Sequence, residues 1–273
     1  VKRVYLDHAA TTSIDAEALE AMMPYLQGEF GNPSSVHGFG QRARGAIDEA
    51  RAQVAALIGA RDSEIVFVGS GTEADNLAIG GVLRAAALEP HGDRTGLVTT
   101  SIEHHAVLNC AKGLDRSRHQ VVFARADEAG RVDLGDFAAA VSEKTALTSV
   151  MWANNETGVR QPIDDVTRIA REKGALVHTD AVQAVGKVPI DTRRLDVDLL
   201  TLSAHKIHGP KGVGALYIRS GTRMTAMIRG GSWASERRRR SPGPASRRTP
   251  PGSPGCAISW SRGSSRPEAE RPW

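Results

Sequence analysis

Cysteine is nearly absent: Cys110 and Cys256 are the two in 273 residues. Two cannot build a disulfide framework, so a reducing cytoplasm is the expected location. No run approaches the ~18 apolar residues that a membrane helix needs. The N-terminus, VKRVYLDHAATT, lacks the ~7–15-residue apolar stretch of a signal peptide. A soluble intracellular protein without membrane contact is expected. What is present is a 40% hydrophobic fraction, which supports a buried core and excludes wholesale disorder. The length allows one large domain, or one domain and a fragment.

The net charge of +4 invites a nucleic-acid reading, but position decides the matter. From Ser232 to Trp273 there are nine Arg, no Lys and three Glu, whereas the preceding residues carry 26 basic and 28 acidic side chains. All the excess positive charge sits in this tail, with seven of the 13 Pro and nine Ser. RRRRSPGPASRRTPPGSPG has no apolar periodicity and cannot offset its chain entropy. The expected organisation is a folded domain over 1–231 and a low-complexity, disordered tail over 232–273. Arg237–Arg240, Arg247 and Arg248 could hold polyanions nonspecifically, but they lack an aromatic-lined groove or folded scaffold, so no specific nucleic-acid role is expected.

Before Gly231, short apolar runs alternate with helical segments. Seven strands are expected, at Glu64–Val68, Leu97–Thr100, Gln120–Ala124, Ala146–Trp152, Ala175–Thr179, Asp198–Ser203 and Gly214–Ile218. Several are apolar throughout, as strands covered on both faces are. Helices are expected over Gly40–Ile58, Thr72–Leu88 and Ile163–Lys173, the first and last stopping at glycine. This alternation predicts an α/β fold, a three-layer α/β/α sandwich around a mostly parallel sheet.

Ligands in such folds gather where strands hand over to helices. Val68-Gly69-Ser70-Gly71-Thr72 turns backbone N–H groups and the Thr72 hydroxyl outward at a helix start, which suits a phosphate or a plain capped turn. Ser101-Ile102-Glu103-His104-His105 offers two adjacent imidazoles, which rarely share a metal ion because they diverge on a helix; a capping His is the simpler reading. Ala153-Asn154-Asn155-Glu156 places polar side chains beyond a strand. Val177-His178-Thr179-Asp180 ends a strand in a carboxylate that needs a cationic partner, and Gln183 follows. Ser203-Ala204-His205-Lys206 puts a lysine in the crevice, a candidate Schiff-base nucleophile.

A phosphate, a flat ring, a ring nitrogen wanting a carboxylate and an aldehyde wanting a lysine describe pyridoxal phosphate. YLDHAATT, FGNPSSVHGFG, SGTEADN, EHHAVL, ANNETG, HTDAVQA and SAHKIHGPKGVGALY, in order from Tyr5 to about Gly231, resemble the cysteine desulfurase family, within the class V aminotransferase-like pyridoxal-phosphate enzymes. The resemblance implies that Lys206 carries the cofactor and that Asp180 meets its ring nitrogen. It implies that His104 stacks on the ring and that Asn155 and Gln183 serve the phenolic side. Gly71, Thr72, Ser203 and His205 then hold the phosphate. It further implies L-cysteine as substrate, a sulfur-acceptor or scaffold protein as partner, a homodimer, a role in iron–sulfur or thio-cofactor synthesis, and no metal.

The chain departs from the family after Gly230-Gly231. The family expects roughly Q-E-x-x-x-R-x-G-T-x-N there, followed by a small domain with a cysteine on a mobile loop that takes the sulfur. Here the sequence reads Ser232-Trp233-Ala234-Ser235-Glu236-Arg237, and the tail resembles a GC-rich gene read in a shifted frame. Cys110 lies in helical AVLNCAKG and reads as a packed small residue; Cys256 matches no motif. A desulfurase lacking its sulfur-accepting cysteine, an inactive or residual cofactor-binding chain, a selenocysteine lyase and another class V enzyme are the readings left open.

Overall fold

The computed structural model describes residues 3–89 and 93–228. The tail from Ser232, including Cys256, lies outside the described residues, and so does the expectation attached to it. Among the described residues no helix is long and apolar enough to cross a membrane.

All seven expected strands form: β1 (Ile65–Val68), β2 (Gly96–Thr100), β3 (Val121–Ala124), β4 (Thr145–Ser149), β5 (Leu176–Asp180), β6 (Leu199–Ser203) and β7 (Gly214–Ile218). They make one sheet in the order β1-β7-β6-β5-β4-β2-β3. Strand β7 runs antiparallel to both its neighbours, β1 and β6, and every other pairing is parallel. The sheet is therefore mostly parallel, as the alternating pattern predicts.

The helices are α1 (Ala16–Gln27), α2 (Gly38–Ile58), α3 (Gly71–Ala87), α4 (His105–Lys112), α5 (Leu134–Ala140) and α6 (Ile163–Glu172). Helix α2 stops where Gly59 turns left-handed at φ 69°, a conformation costly for residues with a side chain. Helices α1 and α5 were not expected from periodicity. Only Ala18 of α1 is buried, so its pattern carries little signal, and α5 is seven residues long. Both start at an aspartate, Asp15 and Asp133, whose carboxylate accepts from a first-turn N–H.

Two cores flank the sheet. One packs α3 and α4 residues such as Leu77, Leu83 and Val107 against Leu147, Leu199 and Leu216. The other packs Ile58 of α2, Phe137 of α5 and Val166 of α6 against Val177, Leu200 and Tyr217. Neighbouring strand residues such as Leu199 and Leu200 fall in opposite cores, as the period of two requires. This is the expected three-layer sandwich.

Strand direction fixes what matters for function. Val68 and Ser203 both pair with Gly214, and Asp180 pairs with Thr201. The ends of β1, β5 and β6 and the start of β7 therefore share one edge of the sheet. With parallel β2 and β4 alongside, all five junctions singled out in the sequence open onto that edge.

Candidate active site

The phosphate-type junction is built by close approach. A Cβ at Gly71 would come within 3.0 Å of Val182 Cγ2 and 3.5 Å of Ser203 Cβ. At Gly214 it would come within 2.7 Å of the Ser70 carbonyl carbon. Glycine at both positions lets the start of α3 lie against β6 and β7. The helix is capped by Ser70, whose hydroxyl accepts from Glu73 N–H at 3.1 Å, so the Thr72 hydroxyl is not the cap and is exposed. Ser203 Oγ, beside this cradle, is buried without a hydrogen-bond partner.

His104 caps α4: its Nδ1 accepts from Ala106 N–H at 3.1 Å. The capping role is thus real, yet it does not exhaust the residue. His104, Asp180 and Asp75 each bring an atom within 4.8 Å of the other two. Asp180 is 6% exposed and accepts from Val182 N–H at 2.9 Å. Burial pushes its carboxyl above the usual carboxylate value, while the Val182 N–H, His104 and Lys206 pull the other way.

Lys206 lies on a 3₁₀ turn, Ala204–Lys206, directly after β6. Its ammonium donates to the carbonyls of Ala9 (2.6 Å) and Ala10 (2.8 Å). Burial pulls its pKa below the ordinary lysine value, against the attraction of Asp180, Asp7 and Glu156. The N-terminal segment is fastened here by further bonds. Thr12 N–H and hydroxyl both donate to the His205 carbonyl, at 2.8 and 2.9 Å, and Thr12 Oγ1 accepts from His208 N–H at 2.8 Å. His205 Nδ1 lies 3.0 Å from Thr11 Oγ1, and its imidazole is held below its usual pKa by burial and then by Lys206 and Lys211.

Gln183 donates from Nε2 to Ala9 O at 2.8 Å and accepts from Lys187 Nζ at 2.7 Å. Asn155 donates to Glu156 Oε1 at 2.7 Å. Both residues line a cavity of about 450 Å³ with Ala9, Trp152, Arg160 and Lys187. The nine expected site residues thus fall on one sheet edge. His104, Asp180 and Lys206 converge, Gly71, Thr72 and Ser203 border the α3 start, His205 meets Thr11 and Thr12 beside Lys206, and Asn155 and Gln183 line the adjoining cavity.

The residues present fit pyridoxal phosphate. Ser203 Oγ lacks a partner beside a helix N-terminus, where an anion is favoured. A buried carboxylate, Asp180, and a partly desolvated lysine, Lys206, are the residue types that would meet the ring nitrogen and the aldehyde of that group.

The Aminotransferase class-V family matches residues 4–251. The chain belongs to that family. Cysteine desulfurase 2 of Trichormus variabilis is 48% identical over 235 residues, covering 86% of this chain and 58% of that relative. Cysteine desulfurase IscS of Dictyoglomus turgidum is 47% identical over 237 residues, covering 87% and 59%. Among solved structures, a NifS-like protein superposes with a TM-score of 0.79 at 42% identity, over 84% of this chain and 63% of its own. SspA in complex with cysteine gives 0.79 at 37% identity, over 84% and 65%. This class-V chain therefore spans under two thirds of the length of these relatives.

Sequence reasoning about this family member missed three buried residues around Asp180. Asp75, Glu103 and His178 are 1%, 5% and 0% exposed. Each lay inside a quoted motif, but its burial depends on how α3 crosses the sheet.

Proposed function

We propose that this chain is the cofactor-binding portion of a pyridoxal-phosphate-dependent cysteine desulfurase acting on L-cysteine, with L-alanine and enzyme-bound sulfur as products. The convergence of Lys206, Asp180 and His104 at one sheet edge carries the reading. Bound there, pyridoxal phosphate supplies an electrophilic aldehyde and an electron sink. Lys206 serves as the attachment amine, and burial eases loss of its proton. Asp180 holds the positive charge of the ring nitrogen. His104 has Nδ1 engaged as the acceptor of the helix cap, so its neutral ring carries the proton on Nε2 and presents an N–H donor to the site. The α3 N–H groups, Thr72, Ser203 and His205 bind the phosphate, and Asn155 and Gln183 orient the ring.

Sulfur must pass to a thiolate. Among the described residues the one cysteine is Cys110, half-buried on α4, with its thiol pushed up to about 11 by burial. That supports a second reading, in which the 273 residues bind cofactor without turning over cysteine. Homodimer formation, a sulfur-acceptor protein, service to iron–sulfur or thio-cofactor synthesis and a cytoplasmic setting belong to the same proposal.

The test is to load the purified chain with pyridoxal phosphate, reduce it with borohydride and map the label. A pyridoxyl group on Lys206 is expected; a label on Lys187 or Lys211 overturns the assignment. Asp180→Asn is expected to weaken cofactor binding by about a hundredfold or more, since a shielded charge loses its partner. Alanine release from cysteine separates the two readings.

A further inference from the structure

The cofactor assignment leaves unused a group of acids buried behind Asp180. Asp75 lies in α3, the helix whose first residue is Gly71. Its Oδ1 is buried without a hydrogen-bond partner and sits 3.6 Å from His178 Nε2. Glu103 uses Oε1 to accept from the Thr100 hydroxyl (2.7 Å) and Met151 N–H (2.9 Å), while its Oε2 is buried and unpartnered. Asp75 and Asp180 bring oxygens within 4.8 Å of one another.

The groups that face Asp75 come from four elements. They are Asp180 and His178 of β5, Thr201 of β6, Glu103 and His104 of the β2–α4 connection, and Cys110 of α4. None is a permanent cation. His178 lies 2.8 Å from Ser149 Oγ and 3.0 Å from Thr201 Oγ1, and full burial holds it neutral, with a pKa of about 3. Two carboxylates in one shielded site do not both ionise. The charge belongs where it is compensated. His104 stands within 4.8 Å of both acids, but Asp180 accepts from the Val182 N–H and faces Lys206, whereas Asp75 Oδ1 has no hydrogen-bond partner and faces the neutral His178.

We propose that Asp75 is a positioning residue of the cofactor site: a neutral, proton-bearing acid packed behind Asp180 that leaves Asp180 as the anion for the ring nitrogen. The positioning half rests on the cofactor reading; the protonation half does not. Because Asp75 and Gly71 share α3, the helix that forms the phosphate cradle also carries the group that sets the charge at the other end of the site.

The test uses the full chain, first without cofactor. An infrared difference spectrum between the parent and Asp75→Asn at neutral pH is expected to show loss of the carbonyl stretch of a buried neutral acid. Loss of carboxylate bands instead overturns the proposal. With cofactor, Asp75→Asn is expected to bind pyridoxal phosphate within about tenfold of the parent, against about a hundredfold or more lost in Asp180→Asn. Equal losses in the two variants make Asp75 an anion and overturn it. Should Asp75→Asn not fold, carbon-13 carboxyl-labelled aspartate in the parent replaces it. One carboxyl resonance is expected to stay protonated to neutral pH and to survive Asp180→Asn, and its absence overturns the proposal. Failure of the parent to take up the cofactor overturns the cofactor reading, and with it the positioning role, whatever the infrared result.

Discussion

Lys206 Nζ donates to the carbonyl oxygen of Ala9 at 2.6 Å, across 197 positions of sequence. The lysine assigned to the cofactor is thus held by backbone of the N-terminal segment, and it must exchange those bonds when it reacts. Whatever loosens the segment changes Lys206.

Thr12→Val tests that link. Thr12 is 4% exposed, and its hydroxyl both donates to His205 O and accepts from His208 N–H. Valine keeps the shape, removes the acceptor of the His208 N–H and leaves the His205 carbonyl with the Thr12 N–H alone, so a loss of about 1 kcal/mol in urea unfolding is expected. Faster modification of Lys206 by an amine reagent should accompany it. Unchanged reactivity would show that the segment does not control the lysine.

Ser203→Ala should separate stability from cofactor binding. The hydroxyl is buried with no partner, so its removal from the cofactor-free chain is expected to be neutral or stabilising by up to about 1 kcal/mol. Affinity for pyridoxal phosphate should fall about ten- to a hundredfold if the hydroxyl meets the phosphate, since a hydrogen bond to a charged group is worth about 1.5–3 kcal/mol. Unaltered affinity, read by titration of the cofactor absorbance, would remove Ser203 from the site.

Glu103→Gln addresses pH. Burial pushes the Glu103 carboxyl from 4.5 up to about 8. The folded chain therefore keeps a proton that the unfolded chain releases above pH 4.5. Its contribution to stability is complete below that pH and is lost as pH rises towards 8. His178 acts in the opposite sense: burial lowers it from 6.5 to about 3, so its contribution is complete above 6.5 and is lost as pH falls. In the cofactor-free chain, Glu103→Gln should flatten the loss on the alkaline side by on the order of 1–3 kcal/mol. Parallel profiles of parent and variant, from urea midpoints across that range, would sink the assignment.

Cys110 should be a bystander. With its thiol raised to about 11 by burial, it is expected to alkylate far more slowly in the folded chain than after unfolding. Cys110→Ala should leave cofactor loading unchanged and carry away no persulfide. Sulfide production that disappears in Cys110→Ala would contradict this.

The strands were legible because runs such as Leu199–Ser203, buried throughout, and Ile65–Val68, buried in its first half and half-buried in its second, are short apolar stretches bounded by turn residues. The reversed direction of β7 was not, since an apolar five-residue run reads the same either way. Lys206, Asp180 and His104 were legible because polar residues at strand ends have little packing reason to be there. Asp75 and Glu103 were not legible, because an acid among alanines or beside histidines reads as a solvated face until the sheet covers it. The bonds from Lys206 to Ala9 and Ala10 use backbone carbonyls, which no side-chain pattern records.

The pairing of β1 with β7 also sets an order of events during folding. Among the described residues Val68 pairs only with Gly214, and the Ser70 carbonyl packs against that same glycine. As the chain leaves the ribosome, IVFV therefore waits as an unpaired apolar edge while the intervening strands are made. Such distant pairings close slowly and leave edges exposed to aggregation meanwhile. The start of α3 packs against β7, so this turn, encoded early, completes its packing only when β7 arrives.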